Sequence, residues 1–144
     1  SSNLQTRKEK GYTMNRPVFV GIEIRQSIKE QIISWWKQNV GSELHENLFC
    51  HHITLEFKPK ETSPVMKLVG TSILFKIAGV LEDENCQTIV VKLDDKIPYK
   101  GTSMPHITIA TNGSTPPKYS NQLINESFMI PFDGPYLSGL AKGF

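Results

Sequence analysis

Two short stretches of the sequence each place a histidine and a threonine two positions apart. They read His52-Ile53-Thr54 and His106-Ile107-Thr108, in a chain that has 4 histidines. Apolar residues alternate through both stretches, as in strands with one buried face. Side chains at i and i+2 of a strand share a face, so each stretch presents an imidazole and a hydroxyl together. Two such strands facing one cleft would supply a general acid, a general base and two hydrogen-bond donors.

The repetition favours a catalytic interpretation over chance, because threonine is common in strands and one such pair would carry little weight. Imidazole gains and loses protons near neutral pH. That suits phosphodiester cleavage, in which the nucleophile loses a proton and the leaving oxygen gains one. We predict that His52 and His106 act as acid and base, and that Thr54 and Thr108 donate hydrogen bonds to the phosphate oxygens. This arrangement requires no metal and no cofactor.

The same alternation assigns the neighbours of the first motif to faces of the strand. Ile53, Leu55 and Phe57 are predicted to face the core, opposite His52. Glu56 and Lys58 would share the face of His52 and could reach the rim of the cleft.

A metal site is the competing interpretation, because Cys50, His51, His52 and His106 all carry donor atoms that bind zinc. Alternation would put Cys50 and His52 on one face of the strand and His51 on the other, and the spacing fits no familiar zinc pattern. We therefore predict no metal, and we interpret His51 as a residue of the surface or the core edge. Lys100 lies in the loop before the second motif, so it is a candidate contact for phosphate.

Composition limits the class of protein. The 144 residues are 38% hydrophobic and 9% aromatic, which suits one soluble domain with a core. The 16 basic and 14 acidic residues give a net charge of +2, too balanced for a broad surface that binds duplex nucleic acid. With 2 cysteines and no long apolar run, we expect a reduced, cytoplasmic protein without membrane spans or a secretory signal. The polar residues 1–10 are expected to be flexible.

Periodicity and turn residues predict the order of the elements. Ser27, with Glu30 three residues later, has the pattern of a capping box and predicts a helix that ends at Gly41, with its tryptophan pair in or beside the core. Alternation and turn residues predict the other elements: strands 17–25, 48–58 and 104–111, a hairpin of 71–82 and 87–94, a short helix near 116–125, and an extended segment 127–132 before a glycine-rich tail.

These elements predict a single α+β domain over residues 1–144. A helix accompanies each motif strand, which suggests two lobes that face each other. Because strands and helices do not alternate strictly, we favour antiparallel pairing. The predicted architecture is two small antiparallel sheets with flanking helices around a central cleft.

The extended motifs, His52-Ile53-Thr54-Leu55 and His106-Ile107-Thr108-Ile109, resemble the paired signatures of the two-histidine (2H) phosphoesterase superfamily. The resemblance rests on these motifs and on the order of the elements. It implies a two-lobed α+β fold with one signature in each lobe. It also implies metal-independent cleavage of cyclic phosphates or of ribose phosphodiesters.

Within this superfamily, the small size, the GYT and VFVGI segments and the LFCHHITLEFKP block resemble the anti-CBASS phosphodiesterases of tailed phages. That resemblance implies hydrolysis of cyclic di- or trinucleotide signals such as cGAMP, in the cytoplasm of an infected bacterium. It also implies stacking of the bases on aromatic residues from both ends of the chain, with Tyr12, Tyr136 and Phe144 as candidates. Two alternatives stay open: a 2′,3′-cyclic phosphodiesterase acting on RNA ends or nucleoside cyclic phosphates, and a non-catalytic protein that binds cyclic nucleotides. The oligomeric state is also open.

Overall fold

The computed structural model describes residues 16–101 and 104–144. In this part of the chain, neither α-helix is long and apolar enough to cross a membrane. The elements follow one another in this order: β1 (Phe19–Glu23), α1 (Gln26–Asn39), β2 (Asn47–Leu48), β3 (His52–Phe57), a 3-10 helix (Pro64–Leu68), β4 (Ser72–Glu82), β5 (Cys86–Leu93), β6 (His106–Thr111), α2 (Tyr119–Glu126), β7 (Ile130–Pro131) and β8 (Tyr136–Gly143).

The eight described strands form one sheet, and each pairs with its neighbours in antiparallel fashion. The order across the sheet is β2-β6-β5-β4-β8-β1-β3, and β7 pairs with β4 outside this path. The predicted α+β class and antiparallel pairing are confirmed, but the prediction of two separate sheets is wrong. The halves are joined because β8 pairs with β4 on one side and with β1 on the other.

The joining strand β8 corresponds to the segment that the sequence predicts as a glycine-rich tail. Glycine is disfavoured in strands, but here it has a specific use. A Cβ atom at Gly139 would lie 2.5 Å from the carbonyl oxygen of Glu23 and 2.5 Å from Cγ2 of Ile22. Glycine therefore lets β8 and β1 approach closely. The same residue weakens the strand signal of this segment in the sequence, yet it allows β8 to lie between β4 and β1.

Helix α1 packs on the sheet through Ile32 and Trp36, which are fully buried. Trp35 packs edge-on against Phe132 with ring centroids 5.1 Å apart, so both tryptophans have packing roles, as the sequence predicts. The largest fully buried side chains come from α1, α2 and both halves of the sheet: Trp36, Phe75, Ile22, Ile32, Ile53, Leu55, Ile77, Leu81, Ile89, Ile107, Ile109 and Leu123.

The two ends of α1 compare differently with the prediction. The helix begins at Gln26, and its N-cap is Arg25, which makes no side-chain capping bond. Ser27 therefore lies inside the first turn, and the predicted capping box is wrong. At the other end, Gly41 has a φ of +82° and its N–H donates to the carbonyl oxygen of Trp36 over 3.0 Å. This is the left-handed C′ glycine that the sequence predicts.

Candidate active site

The segment before β3 ties the two motif strands together across the ends of the sheet. The N–H groups of Phe49 and Cys50 donate to the carbonyl oxygens of Ile109 and Thr108, over 2.8 and 2.9 Å. Cys50 has a left-handed φ of +51°, which redirects the chain from pairing with β6 to pairing with β1. His52 then begins β3, so this short segment brings both motifs to one cavity.

All four predicted catalytic side chains, His52, Thr54, His106 and Thr108, line one cavity of about 650 Å³. Small-molecule sites occupy roughly 300–1,000 Å³, so the cavity has the size of a ligand site. Its remaining wall is aromatic and polar, and it is supplied by strand ends, loops and the start of α2: Phe19, Phe49, His51, Phe57, Tyr99, Lys100, Gly101, Pro117, Lys118 and Asn121.

Each motif strand carries an irregularity directly after its threonine, where the pairing register skips Leu55 in β3 and Ile109 in β6. Such a bulge reverses the alternation of faces beyond it. Glu56 consequently turns inward, where it is 9% exposed and accepts a hydrogen bond of 3.0 Å from Ser63. Phe57 turns outward, is 59% exposed and lines the cavity. The prediction of Phe57 in the core and Glu56 at the rim is therefore wrong.

A backbone carbonyl fixes the ring of His106. Its Nδ1 atom lies 2.9 Å from the carbonyl oxygen of Met104. That oxygen can only accept, so the proton of the neutral ring resides on Nδ1 and the lone pair on Nε2. Burial lowers the pKa of His106 from its ordinary value, and the bond to Met104 opposes this in part. The ring is therefore neutral at physiological pH and can accept a proton at Nε2.

A neighbouring side chain, rather than a carbonyl, contacts the ring of His52. Its Nδ1 atom lies 2.9 Å from Nδ1 of His51, and the ring packs against Phe19 with centroids 4.8 Å apart. Burial is the largest cause that lowers the pKa of His52 from 6.5 to about 4, followed by the positive charges that His51 and His106 can carry. A bound phosphate anion would act in the opposite direction by favouring the imidazolium.

The hydroxyl of Thr108 belongs to a chain of hydroxyls that leads into the core. It donates to the carbonyl oxygen of Pro117 over 3.1 Å and lies 2.7 Å from Oγ of Ser120. Ser120 is fully buried, and its Oγ lies 2.6 Å from Oγ1 of Thr88. A phosphate oxygen would therefore compete with Pro117 for the Thr108 proton, while the contact with Ser120 persists. In the described part of the chain, the hydroxyl of Thr54 has no comparable partner.

Two of the predicted substrate-binding residues lie at or beside the cavity. Lys100 lines it, and its backbone N–H donates to the carbonyl oxygen of Leu55 over 2.8 Å. Phe144 stacks on Phe19 with centroids 4.7 Å apart, and its ring centroid lies 5.5 Å from that of His52. Phe144 thus supports the aromatic wall that Phe19 presents to the cavity.

Tyr136 is a predicted substrate-binding residue that does not line the cavity. Tyr136 is 65% exposed and contributes instead to a separate shallow depression beside α1. It begins β8, and Phe144 follows the last residue of that strand, so roughly 26 Å along the strand separates the backbone positions of the two aromatic residues. The structure thus places Tyr136 away from the cavity that the motif residues line. Tyr12 lies outside the described residues.

The sequence pattern does not predict that His51 and most of the aromatic wall lie at the cavity. Regular alternation assigns His51 to the face opposite His52, but the left-handed Cys50 and the start of β3 at His52 break that regularity. Two adjacent histidines were the available signal. Phe19 and Tyr99 reach the cavity from a strand end and a loop, and no local pattern indicates that they meet.

Cys50 is poorly suited to be a ligand of the alternative zinc site. Its thiol is fully buried in the core cluster, and burial raises its pKa to about 12. The thiolate that binds zinc is therefore disfavoured. Within residues 16–101 and 104–144, no three His, Cys, Asp or Glu side chains gather as a group of metal ligands.

The antiparallel α+β fold and the paired histidine motifs are those of a two-histidine phosphoesterase. A family model described as the fungal tRNA ligase phosphodiesterase domain matches residues 39–130, which include both motifs. This match covers more than half of the 144 residues. The chain belongs to this phosphodiesterase family, which lies within the two-histidine phosphoesterases.

A solved structure described as a fungal RNA kinase shares the fold. It superimposes with a TM-score of 0.55 at 15% sequence identity, and the match covers 92% of this chain and 46% of that chain. The chain thus spans about half the length of that protein, and the likeness concerns the fold alone. No curated protein matches the sequence closely.

Proposed function

We propose that the chain is a metal-independent 2′,3′-cyclic phosphodiesterase that opens the cyclic phosphate at an RNA end. The observation that carries this proposal is the pair of histidines on one cavity, each with Nδ1 engaged and Nε2 left for a substrate. Membership of the tRNA ligase phosphodiesterase family supports an RNA end as the substrate.

In this proposal His106 is the general base, because the carbonyl of Met104 keeps its proton on Nδ1. Nε2 of His106 takes a proton from water as the water oxygen bonds to phosphorus. His52, as an imidazolium, gives a proton to one ribose oxygen as the bond between that oxygen and phosphorus breaks. The product is a phosphate monoester next to a free hydroxyl on the same ribose. Proton exchange with solvent then restores both rings.

The cavity offers donors for the negative charge that grows on phosphate. Hydroxyls of Thr54 and Thr108 are assigned to the non-bridging oxygens, where one such donor is typically worth about 10²–10³ in rate. Lys100 and Lys118 line the same cavity, and their positive charges would attract the phosphate. Phe19 offers a face on which the terminal base can stack, a contact worth roughly 1–3 kcal/mol.

A cyclic di- or trinucleotide, the substrate of anti-CBASS phosphodiesterases, is the second candidate. It is favoured by the number of aromatic rings on the cavity wall, since stacking one base needs fewer than these four: Phe19, Phe49, Phe57 and Tyr99. The same two histidines would then break the bond between phosphorus and a ribose oxygen of the next nucleotide. A protein that only binds cyclic nucleotides could use the same rings without proton transfer.

The deciding experiment presents both substrates side by side in excess EDTA and separates the products by chromatography. The substrates are an RNA oligonucleotide ending in a 2′,3′-cyclic phosphate and a 3′,5′-linked cyclic dinucleotide. Opening of the RNA end would support the main proposal. Linearisation of the dinucleotide alone would instead support the second candidate, a cyclic oligonucleotide substrate. Recovery of both molecules unchanged would contradict catalysis, and activity that returns only with added divalent metal would contradict metal independence.

Two variants calibrate this assay. His106→Gln removes the proposed base and is expected to lower kcat by about 10²–10⁴-fold. His45→Gln is the matched control, because His45 lies outside the cavity with its Nε2 2.8 Å from the carbonyl oxygen of Asp83. The control should retain activity.

A further inference from the structure

The contact between two adjacent histidines at the cavity has no counterpart in the second motif. Nδ1 of His51 lies 2.9 Å from Nδ1 of His52, whereas the equivalent nitrogen of His106 faces the carbonyl oxygen of Met104. Two ring nitrogens at this distance share one proton, so one ring donates and the other accepts. The direction of this bond decides which nitrogen of His52 carries a proton.

In the step that needs an acid, His52 is an imidazolium. This form fixes the direction of the hydrogen bond between His51 and His52. A charged imidazole has N–H groups at both nitrogens and no acceptor. When His52 is charged, its Nδ1–H can therefore only donate, and Nδ1 of His51 must accept. Nε2–H of His52 is then the donor that remains for the substrate. The opposite direction would require His52 to give up the Nδ1 proton and so to stay neutral.

We propose that His51 is a positioning residue for His52: its Nδ1 accepts the Nδ1–H of His52 and so reserves Nε2 of His52 for the substrate. His51 thereby has the role that the Met104 carbonyl has for His106. The ring of His51 is itself held against Phe144, with centroids 5.6 Å apart in an edge-on arrangement. His51 is exposed, while His52 is partly buried, so solvent can reach the remaining nitrogen of His51.

Two substitutions separate this role from simple packing. In His51→Asn, the side-chain oxygen takes about the place of Nδ1 and can accept the same proton. In His51→Phe, a ring is kept against Phe144 but the acceptor is lost. Because position 51 is exposed, neither change removes core packing.

The first measurement is ¹⁵N NMR of the histidine rings in the substrate-free protein at pH 8, where neutral rings report their tautomers. We expect His52 to carry its proton on Nδ1 in the wild type and in His51→Asn, and to shift toward the Nε2–H form in His51→Phe. A wild-type His52 protonated on Nε2 would overturn the proposal. So would a His51→Phe protein whose His52 tautomer is unchanged.

The second measurement is kinetic, and it rests on the proposed hydrolysis, whereas the NMR measurement needs no substrate. We expect His51→Phe to lower kcat by about 10–100-fold, by analogy with partners that orient metal-binding histidines, with little change in KM, and His51→Asn to restore most of the loss. Equal kcat values in the Phe and Asn variants would contradict the positioning role. If no substrate is turned over by any variant while the tautomers behave as expected, the proposed function fails and the positioning role stands.

Discussion

Acidification should destabilise the folded chain through His52. Its pKa is lowered from 6.5 to about 4 in the folded protein, with burial as the first cause. The unfolded chain therefore binds a proton at this ring below about pH 6.5, while the folded chain stays neutral until about pH 4. Above pH 6.5 the ring is neutral in both states, so it does not lower the free energy of unfolding. As the pH falls from 6.5 toward 4, protonation of the unfolded chain lowers the free energy of unfolding progressively.

The size of this effect follows from the two pKa values. A shift of the pKa from 6.5 in the unfolded chain to about 4 in the folded chain lowers the free energy of unfolding by about 2 kcal/mol between pH 7.5 and pH 5. The ring is only partly buried, so solvent screening reduces that value, and we expect about 1 kcal/mol. His106 adds to the effect with the same sign, because its pKa is lowered as well.

Urea denaturation at pH 7.5, 6.5, 5.5 and 5.0 tests this expectation on the wild type and on His52→Gln, which removes the titrating ring. The wild type should lose about 1 kcal/mol more of its unfolding free energy over this interval than the variant does. Ile89→Val is the matched control: it removes one methyl group from a fully buried side chain and lowers stability by about 1 kcal/mol without changing a titratable group. Its pH dependence should parallel that of the wild type. Parallel curves for wild type and His52→Gln would refute the reasoning.

Three further predictions follow from individual side chains. Thr54→Val and Thr108→Val should each lower kcat on the preferred substrate by about 10²-fold, and an unchanged kcat in both would contradict their role at the phosphate. Ser120→Ala should lower the unfolding free energy in urea by about 1–3 kcal/mol, because the buried hydroxyl of Thr88 and the partly buried hydroxyl of Thr108 lose a partner. Ser27→Ala should cost less than about 0.5 kcal/mol in the same assay, because the N-cap is Arg25; a loss near 1 kcal/mol would restore the capping box.

The sequence predicts most elements because their signals are local. The hairpin predicted at 71–82 and 87–94 is observed at Ser72–Glu82 and Cys86–Leu93, where apolar alternation and a polar turn act within a few residues. The motif strands are recovered for the same reason. The pairing of β8 with two distant strands is not a local property, and the glycines that permit it also weaken its strand signal.

Within the site, the face assignments predicted from the sequence fail at positions where the backbone departs from regular strand geometry. Face assignments from alternation hold from His52 to Thr54, and they fail at the bulge after Thr54 and at the left-handed Cys50 before the strand. Non-glycine residues seldom adopt a positive φ, so no sequence rule would place one at position 50. That one residue decides that His51 meets His52 instead of facing away from it.

The two motifs are nearly identical in sequence, yet the proposed reaction needs one base and one acid. Identical surroundings would give the two rings equal tendencies to hold a proton, and the distinction between donor and acceptor would be lost. The fold supplies the difference outside the motifs: a backbone carbonyl contacts His106, and the side chain of His51, the proposed acceptor, contacts His52. A carbonyl cannot be removed by substitution, whereas His51 can. The proposed acid half of the site is therefore the half whose proton placement a single side-chain change is expected to reset.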